Sequence, residues 1–466
     1  MVRFMQKPRN IMSRQRYILI AILFFHMVNT YMDRVCIASA KGGIIKDLGI
    51  SDEMMGWIFG IFAVGYALFQ VPSGWFADRF GPRKALTIVV SFWSTFTMLT
   101  GAAFNALSML VFRFIFGVGE AGAFPGSTRA FYSWLPVKER GIAQGINISG
   151  CRIGAGISYF IMPVLIALIG WRLTFVANGL VGIVWAIIWL YWFRDNPKDN
   201  SKINEAELDY IEQGRKSDFV VSTKVSLAEI FTSLNMSMTM FQYFASNITF
   251  FVCLTWLPSY LKDTWGTGAE FYAAMPMFVA AVANWVSGSL VTYLYKKGYH
   301  VGSRRIPAII GFLLGAIGLM LATQTQNLHL FVLFFSIAIF GVDMTLSPSW
   351  SFCMDIGGDK SGAVSGSMNM AGNIGSAVSA IIFPLFVNHI TIPYFAPETG
   401  TASSFFVFAG ALNVLAVIAW LFMDPHRSSA KNLSRRAIRI RFIIIFMFLF
   451  LLTLAAVLLN IYLQTK

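Results

Sequence analysis

The chain has 466 residues, of which 56% are hydrophobic and 12% charged, with a mean hydropathy of +0.65 and 44 phenylalanines. That composition excludes an ordinary soluble domain and a disordered chain. The formal charge of +14 would suggest a nucleic-acid surface in a soluble protein, so it has to be located before it is interpreted.

Apolar windows of membrane-crossing length recur at 16–37, 54–77, 85–104, 107–134, 141–168, 171–193, 236–261, 270–295, 305–325, 328–355, 362–388 and 402–424. The weaker ten-residue alternation of a membrane barrel is not seen. An all-α membrane protein of twelve helices is expected, and a further apolar run, 442–463, reads as a thirteenth. Arg14, Arg16, the apolar run from Tyr17 and the sequence Ala38-Ser39-Ala40 together imitate a cleavable signal peptide. Asp33 and Arg34 interrupt that pattern, so the run is kept as a first membrane helix.

The basic residues fall on alternate connections. With the N-terminus in the cytoplasm, that side receives Arg3, Lys7, Arg9, Arg14, Arg16, Arg79, Arg83, Lys84, Lys138, Arg140, the central linker, Lys296, Lys297, Arg304, Arg305, Lys360 and the basic tail at 427–441. The opposite side, up to helix twelve, receives Lys41, Lys46, Arg172 and Lys262. The positive-inside rule then sets the topology and accounts for the net charge without nucleic acid. Cys36, Cys151, Cys253 and Cys353 stand singly in apolar segments and read as packing residues, neither disulfides nor metal ligands.

The chain divides into an N-terminal six-helix bundle (1–193), a polar linker (194–235), a C-terminal six-helix bundle (236–425) and a basic tail with the extra apolar run (426–466). A shift of 221 residues lays Gly141, Gly145, Ile153, Gly154, Ser158, Ile161 and Pro163 on Gly362, Gly366, Ile374, Gly375, Ser379, Ile382 and Pro384. Helices five and eleven are therefore one element repeated, and their four-residue spacing of glycines suits close helix packing.

Within this apolar chain the charged residues carry the information. A charge at the membrane centre costs about 2.5–3.5 kcal/mol or more, so such residues face a cavity, pair with one another, or serve transport. Arg113 and Glu120 lie two turns apart in helix four, and Asp33 and Arg34 are adjacent in helix one. Arginine offers a planar fork that matches a carboxylate, whereas a buried carboxyl group can gain and lose a proton. Arg34 and Arg113 therefore suit an organic anion, and Asp33 and Glu120 suit proton coupling; the bland alternative is a set of structural ion pairs.

Two sets of motifs give the chain a family. Gly74-x-x-x-Asp78-Arg79-x-Gly81-x-Arg83-Lys84 resembles the loop between helices two and three of the major facilitator superfamily, with a worn copy at 288–305. Tyr31-x-Asp33-Arg34, Tyr66-x-x-x-Gln70-x-Pro72, Phe112-Arg113-x-x-x-Gly117-x-Gly119-Glu120, Trp134-x-Pro136-x-x-Glu139-Arg140 and Trp256-Leu257-Pro258 resemble its anion:cation symporter family. The resemblance spans residues 14–425 and implies a major facilitator fold, two six-helix bundles related by a pseudo-two-fold. It further implies proton sites at Asp33 and Glu120, a substrate-binding Arg34, and a cytoplasmic latch at the Asp78 loop. The function expected is proton-coupled symport of a sugar acid such as a hexuronate, hexonate or aldarate by alternating access. Sodium-coupled or facilitated transport of another monocarboxylate, and a non-transporting sensor, stay open. An enzyme is not expected, since no nucleophile–base pair or metal cluster appears.

Around the charges, Tyr31, Tyr66, Asn247, Ser347, Ser349, Asn369 and Asn373 are candidates for hydrogen bonding a polyhydroxy acid, with helix-to-helix bonding as the alternative. Arg152 in helix five is open between a second anion-binding arginine and the counter-ion of an acid such as Asp343 in helix ten. Asp343 itself is a candidate coupling carboxylate, and His26, on the face of Asp33, a candidate relay or a satisfied core histidine. Asp78, Arg79, Arg83, Arg129, Glu139 and Arg140 are assigned to a cytoplasmic gate. The partners expected are a small anion, protons and the lipid bilayer; no cofactor is expected. A monomer in a bacterial inner membrane with its N-terminus inside completes the reading.

Overall fold

A computed structural model describes residues 12–215, 233–390, 392 and 402–425. The expected thirteenth helix and basic tail lie outside these residues, as does the middle of the linker. The helices are α1 (Gln15–Leu48), α2 (Asp52–Phe80), α3 (Pro82–Gly101), α4 (Ala106–Glu120), α5 (Ala123–Trp134) and α6 (Val137–Trp192). After the linker helix α7 (Glu205–Arg215) come α8 (Leu234–Thr255), α9 (Leu257–Trp265), α10 (Ala274–Lys296) and α11 (Gly302–Ala322). The chain continues with α12 (Leu328–Met344), α13 (Leu346–Gly357), α14 (Ser361–His389) and α15 (Ser403–Phe422). Eight stretches among the described residues are long and apolar enough to cross a membrane, and Leu328–Val387 carries two of the expected spans in one.

The boundaries differ from the windows for local reasons. Helix α1 runs eleven residues past the expected end at 37, because Cys36, Ile37, Ala40 and Ile44 keep a buried face at helical spacing until Gly49 closes it at φ 61°. The Ala38-Ser39-Ala40 sequence is thus helix interior. The expected fifth and sixth spans follow one another without a loop: α6 comprises two helices that join at Gly170, whose φ of 77° and ψ of 160° lie outside the helical region and turn the chain between them. The fourth and tenth spans are each broken into two. Pro125 and Pro348 stand third in α5 and α13, where neither can donate a backbone N–H to the turn before it. In the second break the carbonyl of Met344 is taken by the Ser287 hydroxyl at 2.5 Å.

Within the first half, α1 and α3 pack on α6, and α2 on α4; within the second, α8 packs on α14 and α15, and α11 on α12 and α15. Two seams join the halves, α6 against α10 and α2 against α14. The repeated glycines make both: a Cβ on Gly288 would lie 2.8 Å from the Gly141 carbonyl oxygen, and one on Gly74 would lie 2.9 Å from the Ala363 Cα. Close approach of backbones is what small residues permit in a membrane bundle.

The core is divided unevenly between the two ends. At the end carrying the linker, here the linker face, one apolar cluster runs through both halves, from Leu19, Trp134 and Trp189 to Met236, Trp350 and Val364. Toward the far face it splits in two. Cys36, Ile44, Met55 and Trp171 serve the first half, and Phe250, Leu257, Leu261 and Phe331 the second. The halves are thus packed together at the linker face and separate beyond the middle.

Candidate functional site

At mid-depth, between the halves, lies a cavity with about 50 Å³ of free space, walled by Tyr31, Arg34 and Tyr66 from the first half and Tyr243, Asn247, Asn369 and Asn373 from the second. Arg152 and Asp343 line it too. Its linker-side floor is aromatic: Phe124 stacks on Trp350 across the halves at 5.2 Å, and the Trp350 indole N–H donates to the Tyr243 hydroxyl at 3.2 Å.

Arg34 reaches the cavity from α1 through a cage of Tyr31, Tyr66 and Phe62 rings, 4.6–5.3 Å from its guanidinium carbon. Its Nε donates to Glu120 Oε1 at 2.5 Å. The break after α4 puts Glu120 at the last position of its helix, fully buried behind Arg34. The second Glu120 oxygen and Arg34 Nη2 are buried without hydrogen-bond partners.

The other two charges do not join this pair. Asp33 turns toward the interior of the first half, where it accepts a hydrogen bond from the Asn29 amide at 3.5 Å, and it has no ion-pair partner among the described residues. Arg113 lies over the rings of Phe62 and Phe116, with Nε and Nη1 unpartnered, and is not ion-paired to Glu120. Neither lines the cavity. His26 is stacked between Trp185 (4.4 Å) and Trp93 (5.3 Å), also away from it.

Arg152 and Asp343 meet across the halves. The guanidinium holds both carboxylate oxygens, Nε to Oδ2 and Nη2 to Oδ1, each at 2.9 Å, and its carbon lies 3.7 Å over the Phe250 ring. The Asn284 amide donates to Asp343 Oδ2 at 2.9 Å. Asp343 is the second-half counterpart of Glu120, a relation the 221-residue register hides. Shifted by 223 instead, Glu120 falls on Asp343, Pro125 on Pro348 and Phe112 on Phe335. Both carboxylates sit where a proline five residues later breaks the helix.

Among the polar candidates, Asn369 donates to the Tyr66 hydroxyl and to Gln70 Oε1, both at 3.1 Å, which ties the halves together at the cavity wall. Asn373 and Asn247 line the cavity, each with its amide N–H on a carbonyl one turn earlier. Ser347 and Ser349 do not reach it. Ser347 donates to the Gly141 carbonyl in the α6–α10 seam at 2.6 Å, and Ser349 to the Thr345 carbonyl at 2.6 Å, because the break before α13 turns both into packed interior. Phe124, Tyr243, Phe250 and Trp350 were not among the expected wall residues, since apolar aromatic positions carry no signal in an apolar helix.

At the linker face, Asp78 accepts the N–H groups of Gly362 (2.9 Å) and Ala363 (2.8 Å) at the start of α14, and Arg129 lies 3.6 Å from the same carboxylate. Arg129 also reaches Asp359 at 3.5 Å. Arg140 approaches Asp355 at 3.5 Å, and Arg304 holds the same acid at 2.8 Å. Arg79, Arg83 and Glu139, expected in the gate, bind within the first half and the linker helix, without a bond to the second half among the described residues. Arg79 packs on Trp75 and Phe80, Arg83 donates to the Leu190 carbonyl, and Glu139 takes Arg16 and Tyr210. The ion pairs at this face also include Arg304, Asp355 and Asp359, which were not among the expected gate residues; Arg304 is Arg83 shifted by 221, so the worn loop motif at 288–305 did contain it.

Glu207 on α7 ties the linker to the first half. Burial disfavours its charge, but bonds from the Ser13 hydroxyl, the N–H groups of Gln15 and Arg16, and the Arg16 guanidinium outweigh that and hold its carboxyl below the ordinary range.

These features can be set beside known proteins. A family model of the Major Facilitator Superfamily matches residues 21–380. The chain is 32% identical to a probable sulfoacetate transporter, SauU, of Cupriavidus necator, over 88% of this chain and 94% of that protein. It is 31% identical to a probable galactarate/D-glucarate transporter, GudP, of Bacillus subtilis (88% and 91%), and 30% identical to the D-galactonate transporter of Escherichia coli O6:H1 (88% and 96%). The solved proton:xylose symporter XylE shares the fold, with a TM-score of 0.68 at 16% identity over 88% of this chain and 96% of that one. With its charge-bearing helices, paired bundles and central cavity, this multi-pass membrane transporter belongs to the major facilitator superfamily, in the anion:cation symporter family.

Proposed function

We propose that the protein carries a small organic anion, a sugar acid in the first instance, together with protons, by alternating access of the central cavity. The observation that carries this reading is the Arg34–Glu120 pair. A permanent cation faces the cavity, and the carboxylate behind it competes with any substrate acid for the same guanidinium. A proton on Glu120 releases Arg34 for the substrate; loss of that proton restores the pair and expels the anion. Asp33, buried without a cationic partner, is the second proton carrier in this reading, and Arg113 keeps the surrounding field positive. Relatives bearing the names of sulfoacetate, glucarate and galactonate transporters support an organic acid as cargo.

In this reading the protein is a monomer in a bacterial inner membrane with its linker face in the cytoplasm, an orientation that the positive-inside pattern supports. The continuous core at that face then makes this conformation closed to the cytoplasm. The test is uptake by proteoliposomes of galactonate, glucuronate, glucarate and sulfoacetate under an imposed pH gradient without sodium. Glu120→Gln is expected to abolish gradient-driven accumulation while sparing counterflow exchange. Uphill uptake by that variant at the wild-type level refutes the coupling role, and uptake that requires sodium refutes the proton.

A further inference from the structure

We propose that Arg152 is a second anion subsite, occupied at rest by Asp343, and that the substrate accordingly carries two acid groups. The inference rests on the anion-transport reading above and extends it to the substrate's charge.

Three observations converge. First, the cavity is walled by two guanidinium groups, Arg34 from α1 and Arg152 from α6, and each is held by a carboxylate that would have to yield to a substrate acid. Secondly, the two carboxylates are related by the internal repeat, each at a proline-broken end of the matching helix, so the second half repeats the acid position of the first, while both arginines come from the first half. Thirdly, Arg152 presents both Nε and Nη2 to Asp343 in the two-point geometry that a carboxylate or sulfonate of a ligand would take over. A purely structural pair would not need to stand at the cavity wall.

The acid displaced from Arg152 has a place to go. Asn284 holds Asp343 through its amide N–H, while Asn284 Oδ1 is buried with no hydrogen-bond partner. When a substrate acid takes the Arg152 fork, Asp343 accepts a proton from the open side and its hydroxyl donates to that amide oxygen. The incoming negative charge is balanced by that proton, so the charge of the buried site is unchanged. The groups near Asp343 are Arg152 and Cys151 from α6, Asn284 from α10 and Cys253 from α8; α11 and α13 bring it no charged side chain. Because Arg152 and Asp343 come from opposite halves, filling the subsite also cuts the central ion pair between the bundles, which ties substrate binding to their motion.

The experiment is competition for counterflow in proteoliposomes of the full chain, with glucarate and sulfoacetate as two-acid probes and galactonate and glucuronate as one-acid probes. The wild type is expected to prefer the two-acid probes by tenfold or more. Arg152→Gln is expected to lower the ratio of two-acid to one-acid affinity at least tenfold, and Asp343→Asn to raise two-acid affinity and flatten its dependence on pH. If Arg152→Gln is poorly folded because it strands Asp343, the double variant Arg152→Gln/Asp343→Asn removes both charges and reads the same ratio. A wild type that prefers one-acid probes, or a ratio unmoved in either variant, overturns this subsite and leaves the transport reading standing. Failure of all four probes to exchange overturns both.

Discussion

Asp78→Asn should open the linker face. In the closed conformation Asp78 caps the α14 N-terminus through two backbone N–H groups at 2.8 and 2.9 Å. Each is a charge-assisted bond of about 1.5–3 kcal/mol, and the positive end of the α14 dipole adds to them. Asparagine keeps one neutral acceptor, so the closed state loses roughly 2–4 kcal/mol, which shifts the closed-to-open ratio about 30- to 1,000-fold. The loss falls on one conformation only, since those bonds join the halves and are broken when they part. Spin labels at Lys84 and Lys297, exposed at the linker face on opposite halves, report the separation by pulsed electron paramagnetic resonance. A longer-distance population absent from the wild type is expected. An unchanged distribution in a monodisperse Asp78→Asn protein would refute the assignment of these bonds to the latch.

Asp355→Ala should be far more damaging to stability, because it strands Arg304 and Arg140, each 1% exposed, without their acid; breaking a buried pair this way costs about 3–5 kcal/mol, read as a large fall in thermal unfolding temperature in detergent. Gly145→Leu should block the α6–α10 seam, where a Cβ already meets the Asn284 backbone, and the expected sign is the same opening of the linker face in the spin-label assay. Glu207 gives a pH dependence. Its folded carboxyl is held below the ordinary value, so the docking of α7 is at full strength above the unfolded glutamate range and is lost as pH falls through the folded value. Proteolysis of the linker in detergent should therefore rise in that acid window, and Glu207→Gln should show the same susceptibility already at neutral pH.

Much of this was legible without coordinates. Apolar windows are set by the thickness of a bilayer, a one-dimensional constraint that a chain reports directly, and the spacing of Lys and Arg sets the sidedness expected of them. The glycines repeated at 221 residues marked the surfaces that approach closely, and these became the two seams. The motifs around Asp33, Glu120 and Asp78 carried the family, and the worn second loop held Arg304.

Tertiary structure alone decided which charge answers which. Asp33 and Arg34 are adjacent in sequence, yet neighbouring residues on a helix point about 100° apart, so Arg34 turned to the cavity and Asp33 to the bundle interior. Arg34 then met Glu120, and Arg152 met Asp343, partners separated by 86 and 191 residues. Ser347 and Ser349 were lost to packing because a proline-broken helix changes its direction at Thr345, a displacement no hydropathy pattern records. What a sequence determines by itself is therefore where polar groups are costly. How that cost is met depends on which helix faces come to share one cavity.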